Sequence, residues 1–392
     1  MAARPRVALL VESSRAYGRG LLHGIAEFVR HHGPWSIFLA ERSLGEAPPA
    51  WLQAWQGDGI IARIENRGIA RVIRDLNLPA VDLRGLLTDI RVPLIITDDL
   101  SVARLAVNHF LERGFRHFAF CGFLGADYSD NRSECFARLV EESGFACHVF
   151  RSARPPRTAG TEAKEQRGWA TQVEVAAWIA SLPKPVGLMA CNDIRAQQVL
   201  SACREIGVAV PDEVAVLGVD NDDVLCDLSD PPLSSIVPDT RRIGYEAASL
   251  LERMMEGEPA PDGFTTVLPL EVVTRRSTDV LAIEDRDLSA AVRFIREHAC
   301  DGITVGDVLA GLSLSRSVFE RRFAKIFART PKAEILRMQL DRVKQLLAET
   351  DLPLKQIASM TGFQYPEYMS AAFKARTGLT LGQYRRSTRR NT

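Results

Sequence analysis

The sequence predicts an α/β part with two lobes and parallel sheets, followed by an all-α part with two helix-turn-helix units. Three observations lead to this fold class. The chain has 392 residues, which favours more than one hydrophobic core. Short apolar runs alternate with helical stretches over roughly the first 280 residues, and the remainder has a helical pattern. The charge is also divided: residues 285–392 hold 19 Lys and Arg against 11 Asp and Glu, whereas residues 1–284 hold 30 against 38.

Nine short apolar runs in the first part are predicted strands. They are RVALLVES, WSIFLA, DGIIARI, PAVDL, PLIITDD, HFAFCGF, CHVF, VGLMACND and VAVLGVDND. Amphipathic stretches between them are predicted helices, at 20–31, 102–113, 132–143, 171–181 and 194–206. Continuous apolar strands that alternate with helices favour parallel sheets covered on both faces. About 280 residues is long for one such sheet, so we expect two lobes.

Polar side chains cluster directly after several predicted strands. Examples are residues 12–15, Asp98-Asp99, Asn192-Asp193 and residues 220–222. Ligands of open α/β sheets bind outside the carboxyl ends of the strands, so these groups are candidates for binding a small polar ligand. Asp and Asn at such positions also serve as helix N-caps, and Asp99 or Asp193 could have only that role.

The sequence lacks motifs for several other function classes. It has no GxGxxG opening a helix, no GxxxxGK[ST], no GxSxG and no HExxH, so we predict neither catalysis nor a cofactor. The seven cysteines form no CxxC pair, and we predict no metal site and no disulfide framework. No apolar run approaches the length that spans a bilayer, and the N-terminal apolar run is too short for a signal peptide. We therefore expect a cytoplasmic protein without a membrane partner.

Two segments near the C-terminus, 303–331 and 352–385, follow one plan. Each has a short helix, a break that contains Gly or Ser, and a second helix, which is helix-turn-helix spacing and favours double-stranded DNA as the partner. In the first unit, Ser315 is the predicted N-cap of a helix with a buried stripe of phenylalanines. Arg can bind guanine in the major groove and Glu can accept from cytosine. The candidate DNA contacts of this helix are Ser315, Arg316, Ser317, Glu320 and Arg321.

The second unit offers fewer long polar side chains, because Ala371 and Ala372 lie in its second helix. Its candidate base contacts are Gln364, Tyr365, Glu367 and Ser370. The candidate phosphate contacts of the two units are Lys325, Lys374 and Arg385. We therefore expect the first unit to read the base sequence and the second mainly to hold the DNA backbone. A solvated basic helical bundle is the alternative.

The stretch LMACNDIRAQQVLSACREIGVAVPDEVAVLGVDND, residues 188–222, resembles the effector domains of the LacI/GalR repressors and the periplasmic sugar-binding proteins. This resemblance implies two lobes of the periplasmic-binding-protein type with a small ligand, often a sugar, between them. Tyr17 could cover an apolar sugar face or could simply pack. The ligand-binding residues that the resemblance implies are Ser13, Arg15, Tyr17, Asp82, Arg84, Arg132, Asn192 and Asp220.

The second helix-turn-helix unit resembles the AraC/XylS-type signature. The matching residues are Ile357, Ala358, Gly362, Phe363, Tyr368, Phe373, Lys374, Gly378, Thr380, Tyr384 and Arg385. Leu381 replaces the usual Pro, and Met369 takes an aromatic position. We divide the chain into a sugar-sensing domain at 1–278, a linker at 279–286 and an AraC-type DNA-binding domain at 287–392.

This order of domains resembles the family of xylose operon regulatory proteins over nearly the whole chain. The resemblance implies a sugar-responsive transcription activator with D-xylose as the first ligand to test. It also implies a homodimer on repeated operator sites, with RNA polymerase as a further partner. Another sugar for the same architecture stays open, as does a sugar-modifying enzyme with a DNA-binding appendage.

Overall fold

The computed structural model describes residues 4–87, 89–151, 160–261, 263–280, 285–327 and 329–389. The chain forms two compact units that divide after Val280. The first unit is α/β and the second is all-α. Among the described residues, no helix combines the length and the apolar character that crossing a membrane requires.

The described residues contain twelve strands, all in the first unit. They are β1 (Arg6–Leu10), β2 (Ser36–Leu39), β3 (Gly59–Ala62), β4 (Ala80–Asp82), β5 (Leu94–Thr97), β6 (His117–Cys121), β7 (Cys147–Val149), β8 (Val186–Ala190), β9 (Val214–Val219), β10 (Ser234–Ile236), β11 (Phe264–Val267) and β12 (Val272–Val273).

Nine α-helices of the first unit surround these strands. They are α1 (Ala16–His32), α2 (Arg67–Leu76), α3 (Asp99–Glu112), α4 (Asp127–Glu142), α5 (Thr161–Ala170), α6 (Gln172–Ser181), α7 (Asp193–Glu205), α8 (Asp223–Leu228) and α9 (Thr240–Met255), counted over the described ranges. The second unit contains α10 (Arg286–His298), α11 (Val305–Leu309), α12 (Arg316–Phe327), α13 (Pro331–Glu349), α14 (Leu354–Met360), α15 (Pro366–Thr377) and α16 (Leu381–Arg389).

Each lobe of the first unit is built on a six-stranded sheet. The first sheet has the order β11-β5-β4-β3-β1-β2 and the second β12-β10-β9-β8-β6-β7. All neighbouring strands are parallel except β12, which runs antiparallel to β10. Strands β3, β8 and β9 are buried along their whole length, as expected where helices cover both faces. The predicted two-lobed parallel α/β fold is confirmed.

Within the described residues the chain passes between the lobes three times, after β5, β10 and β11. All nine predicted strands are present as β1–β9. The sequence analysis did not identify β10–β12, which adjoin these passages. β10 and β11 contain Ser234-Ser235 and Thr265-Thr266, so they lack the continuous apolar pattern of the other strands. β12 is apolar but only two residues long, too short for a pattern to be recognised.

The second unit is helical, as predicted, and has two helix-turn-helix pairs. The first pair is α11 and α12, and the second is α14 and α15. Phe319, Phe323 and Phe327 form the buried stripe of α12. Helix α10 begins at Arg286, one residue before the predicted start of the domain, and Asp285 caps it. Residues 281–284 of the predicted linker lie outside the described residues.

Candidate functional site

A cavity of about 110 Å³ lies between the two lobes of the first unit. This is room for a small polar molecule rather than for a single water. Side chains from both lobes line it, at the carboxyl ends of the parallel strands. Six of the eight predicted ligand-binding residues are among them, namely Arg15, Tyr17, Arg84, Arg132, Asn192 and Asp220.

Asn192 caps a helix and faces the cavity at the same time. Its Oδ1 accepts a hydrogen bond from the backbone N–H of Arg195 at 2.9 Å, which caps α7. Its Nδ2 donates to Glu165 at 3.2 Å and to the Tyr128 hydroxyl at 3.3 Å. The cap therefore fixes the orientation of the amide and leaves its donor side toward the cavity.

Arg132 is buried beside the cavity and has both a charged and a backbone partner. Its Nε donates to Asp99 at 2.9 Å, and its Nη1 donates to the carbonyl of Cys191 at 2.6 Å. Its guanidinium lies 5.6 Å from the ring centre of Tyr128. Asp99 thus holds Arg132, whereas the neighbouring Asp98 accepts from the Ser101 N–H as a helix cap. Of the two adjacent carboxylates, Asp99 is the one that lines the cavity.

Asp220 is the carboxylate of the cavity wall that is least stabilised by hydrogen bonds from the protein. Its backbone has φ of 105°, a strained conformation for a residue with a side chain. Within the described part of the chain, no hydrogen bond is made to its carboxylate, on which Arg132, Arg15 and Arg63 act only through their charge. Burial raises the pKa of Asp220 from 3.8 to about 6, although Arg132, Arg15 and Arg63 lower it. A ligand with hydroxyl donors would satisfy this group.

Glu165 on α5 joins the two lobes, and the sequence analysis did not identify it. Its carboxylate accepts two bonds from Arg15 of the first lobe, at 3.0 and 2.5 Å. It also accepts from the Tyr128 hydroxyl at 2.7 Å and from Asn192. Glu165 is only 3% exposed. Glu165 therefore accepts four hydrogen bonds, whereas within the described residues none reaches the Asp220 carboxylate in the same wall.

Arg84 forms a second link between the lobes. It donates to both carboxylate oxygens of Asp127 on α4, at 2.6 and 2.7 Å, and to Glu65 of its own lobe at 3.0 Å. Such bidentate pairs have defined geometry. Arg63, which also lines the cavity, is paired with Glu12 and lies over the ring of Tyr17 at 5.1 Å from its centre.

Asp82 and Ser13, two of the predicted ligand-binding residues, are not among the described residues that line the cavity. The Asp82 carboxylate accepts from the backbone N–H groups of Ile64, Arg84 and Gly85, each at 3.0 Å. These three bonds order the backbone of the loop that carries Arg84 and of the segment after β3. The carbonyl of Ser13 accepts from Arg19, which orders the first loop. Both residues therefore order loops that carry cavity-lining side chains.

Tyr17 is half-buried beside the cavity, with its hydroxyl 3.0 Å from Thr97 Oγ1. Burial raises the pKa of this hydroxyl group. One ring face is covered by the guanidinium of Arg63. The ring therefore has a packing role, which was one of the two predicted alternatives, and its cavity-facing position is compatible with the other.

Two further cavity residues had a signal in the sequence. Tyr128 precedes Arg132 by four positions on α4, so both project from one face of that helix. Arg63 directly follows β3, the position at which the other polar clusters were identified. Glu165 had no such signal, because it lies in a polar helix whose pattern is typical of a solvated surface.

The first recognition helix, α12, exposes the predicted polar side chains opposite its phenylalanine stripe. Arg316 and Glu320 form an ion pair at 2.9 Å on this face. Ser315 precedes the helix, and its hydroxyl lies 3.5 Å from that of Ser317. Arg321 and Lys325 are exposed. The Glu320 contact leaves other N–H groups of Arg316 available for a base edge.

The second recognition helix, α15, presents a different surface. Gln364, Glu367 and Lys374 are exposed. Tyr365 and Tyr368 are exposed large aromatic side chains, at 60% and 54%. Met369 is fully buried and fills the position where the AraC-type signature has an aromatic residue.

Two predicted DNA contacts of the second helix-turn-helix unit, Ser370 and Arg385, are hydrogen-bonded within the protein. Ser370 donates its hydroxyl to the carbonyl of Pro366 at 2.9 Å, so it is engaged by its own helix. Arg385 is half-buried and donates to the carbonyl of Leu352 at 2.7 Å. This bond ties α16 to the segment before α14. Each side chain thus has a bond within the protein, and the contact of both with DNA stays a prediction.

Three family models match the chain. Residues 6–98 match the XylR N-terminal domain, residues 107–278 a periplasmic binding protein-like domain, and residues 309–387 a helix-turn-helix domain. The chain is 31% identical over 390 residues to the xylose operon regulatory protein of Escherichia coli (strain K12), with 97% of each chain covered. It is 29% identical over 388 residues to the protein of that name from Haemophilus influenzae, covering 97% of this chain and 98% of the relative.

A solved structure of a "xylose-binding transcription activator xylR" is also similar. The similarity covers 98% of this chain and 99% of that one, with a TM-score of 0.61 and 30% sequence identity. These matches extend over both the two-lobed unit and the helical unit.

Proposed function

Because the chain belongs to the family of the xylose operon regulatory proteins, we propose that it activates transcription when D-xylose occupies the cavity between its lobes. As a member of that family it is a sugar-responsive transcription regulator and not an enzyme. The names of its relatives make D-xylose the first ligand to test. The observation that carries the proposal is the cavity wall, where ligand-binding residues predicted from the sequence converge from both lobes.

The charges of the wall favour a neutral polyol over an anionic sugar. Four arginines line the cavity, and each has a carboxylate partner. Asp220 adds a further negative charge, so a phosphate or carboxylate on the ligand would be repelled. Hydroxyl groups, in contrast, can donate to Asp220 and accept from Asn192 and Arg132.

Closure of the lobes is the proposed signal. Arg132, Asn192 and Asp220 belong to the second lobe, whereas Tyr17 and Arg15 belong to the first. A sugar that contacts both sets binds the closed arrangement more tightly and shifts the population toward it. In the proposed mechanism, two such chains form a homodimer in the cytoplasm, bind repeated operator sites and recruit RNA polymerase.

The proposed division of labour on DNA follows the surfaces of α12 and α15. Arg316, Glu320 and Arg321 contact base edges, with Ser315 and Ser317 beside them. Lys325 and Lys374 contact phosphates. Gln364, Tyr365 and Glu367 are the proposed contacts of the second unit, where Tyr368 is a further exposed candidate.

A thermal-shift and calorimetric screen tests the ligand. The full chain is titrated with D-xylose, L-arabinose, D-ribose, D-glucose and the anion D-xylonate. D-xylose should raise the unfolding midpoint most, since a ligand that binds the native state stabilises it, and D-xylonate should bind more weakly. Asp220→Ala should abolish the shift. A larger and saturable shift with another sugar would reassign the effector, and turnover of any sugar would contradict the regulator assignment.

A further inference from the structure

The two helix-turn-helix units have separate hydrophobic cores, and α13 contributes to both. Ile335 on α13 packs with Phe319 and Phe323 of the first helix-turn-helix unit. Leu340 and Val343, farther along the same helix, pack with Phe373 of the second helix-turn-helix unit. Apolar contacts hold each unit against α13, but they are less directional than hydrogen bonds and constrain the relative rotation of the two units less sharply.

Gln339 lies on α13 between these two cores and is only 8% exposed. Its side-chain Nε2 donates to the carbonyl of Ala299, in the turn between α10 and α11 that leads into the first helix-turn-helix unit, at 3.0 Å. The same nitrogen donates to the carbonyl of Gly362, in the turn of the second unit, at 3.4 Å. One buried amide group therefore bonds to the backbone of both units.

The two turns also touch directly. Gly362 has φ of 73°, in the left-handed region that favours glycine. A Cβ at this position would lie 2.8 Å from the backbone nitrogen of Gly302 and 2.9 Å from the carbonyl oxygen of Cys300. It would also lie 2.8 Å from Nε2 of Gln339. The glycine thus permits a close backbone approach that brings both carbonyl partners to one side chain.

We propose that Gln339 is a positioning residue that sets the angle between the two recognition helices, and with it the spacing of the two DNA segments that they read. This inference rests on the DNA-binding function proposed above. Hydrogen bonds are directional, and a single buried polar group can select one register among several similar packings. Gln339 has that role here because its two bonds form together only in one arrangement of the turns.

The geometry of DNA makes this arrangement measurable. One base pair moves a contact by about 3.4 Å along the duplex and rotates it by about 35°. Two recognition helices held at a fixed angle can therefore enter the major groove together only at one spacing. Units that rotate freely would tolerate a change of one base pair, although each unit would still recognise its own segment.

The test compares DNA spacings in two variants of the full chain. A duplex is first selected by the wild-type chain from random-sequence DNA, with saturating D-xylose. Affinities are then measured by fluorescence anisotropy for that duplex, for versions with one base pair inserted or deleted between the two segments, and for a duplex with only the first segment. Gln339→Leu keeps the side-chain volume and removes both bonds. Gln356→Leu, at an exposed position on α14, is the matched control.

We expect the wild type and the Gln356→Leu control to lose about tenfold in affinity when the spacing changes by one base pair, as two bound segments become one. Gln339→Leu should bind the selected duplex several-fold more weakly, lose less than about threefold on a spacing change, and match the wild type on the single-segment duplex.

Full spacing discrimination in Gln339→Leu would overturn the proposal. An equal loss on every duplex, including the single segment, would also overturn it, because it would indicate general destabilisation. If the wild type itself selects no duplex, the proposed function fails rather than this inference. Circular dichroism of each variant checks that the helices are retained.

Discussion

Replacing Asp220 by Asn should stabilise the protein without sugar while weakening its binding of sugar. The pKa of Asp220 is raised from 3.8 to about 6 by burial. Each pKa unit corresponds to about 1.4 kcal/mol, so ionising this carboxyl group costs the folded protein about 3 kcal/mol at neutral pH. Asn removes that cost and tolerates the positive φ at this position.

The sign and the pH window follow from the raised pKa. The folded protein binds this proton more tightly than the unfolded chain, so stability is lost as pH rises from about 4 to about 6. Asp220→Asn should therefore raise the unfolding midpoint by about 6 °C at pH 7.5, for a cost of about 3 kcal/mol. At pH 5 the gain should fall to about 1.5 kcal/mol, because the wild-type carboxyl group is then largely protonated.

Differential scanning fluorimetry at pH 7.5 and pH 5, with calorimetric titration of D-xylose, measures both effects. The titration should show a loss of about 10- to 100-fold in affinity at pH 7.5, since hydrogen bonds to a charged acceptor are worth about 1.5–3 kcal/mol. Asp212→Asn, at an exposed carboxylate, is the control and should change neither quantity. A destabilised Asp220→Asn at pH 7.5, or a gain that does not shrink at pH 5, would refute the reasoning.

Glu165→Gln should have the opposite effect on stability, because its carboxylate has four donors. We expect a fall of several degrees in the unfolding midpoint, measured by scanning fluorimetry, from the loss of about 1–3 kcal/mol at the Arg15 pair; a rise like that of Asp220→Asn would contradict this. Arg316→Ala should cost about 1–3 kcal/mol of DNA affinity and relax the preference at one base pair, measured with base-substituted duplexes; a uniform loss would assign it to phosphate. The exposed ring of Tyr368 is expected to contact a thymine methyl group, so Tyr368→Ala should weaken DNA binding. The wild type should bind a duplex with uracil in place of that thymine more weakly, whereas Tyr368→Ala should bind both duplexes equally. An unchanged preference for thymine in Tyr368→Ala would exclude the contact.

The sequence predicted the fold where patterns are local and repetitive. Continuous apolar runs identified β1–β9, and the repeated helix-break-helix plan identified both helix-turn-helix units. The strands β10 and β11 were not identified because they contain Ser or Thr, and β12 was not identified because it has only two residues. The strand β11, which contains Thr265-Thr266, pairs with β5, and its own composition does not predict this pairing.

Some residues of the candidate site could likewise be predicted from the sequence, and others could not. Asn192 and Asp220 follow strands, so their position could be inferred from the order of elements. Asp82 also ends a strand, yet its carboxylate accepts from three backbone N–H groups and does not line the cavity, a difference that only the loop geometry reveals. Glu165 could not be identified, since its partners Arg15 and Asn192 lie 150 and 27 positions away in the chain.

The most direct test of the account is the affinity of the full chain for its selected DNA duplex with and without D-xylose. Fluorescence anisotropy should show tighter binding or a changed stoichiometry as D-xylose saturates the cavity, with the same half-saturation as calorimetric sugar binding. Asp220→Asn should shift both half-saturation points together. Sugar binding that leaves DNA affinity and stoichiometry unchanged would contradict the claim that this cavity controls the helix-turn-helix units.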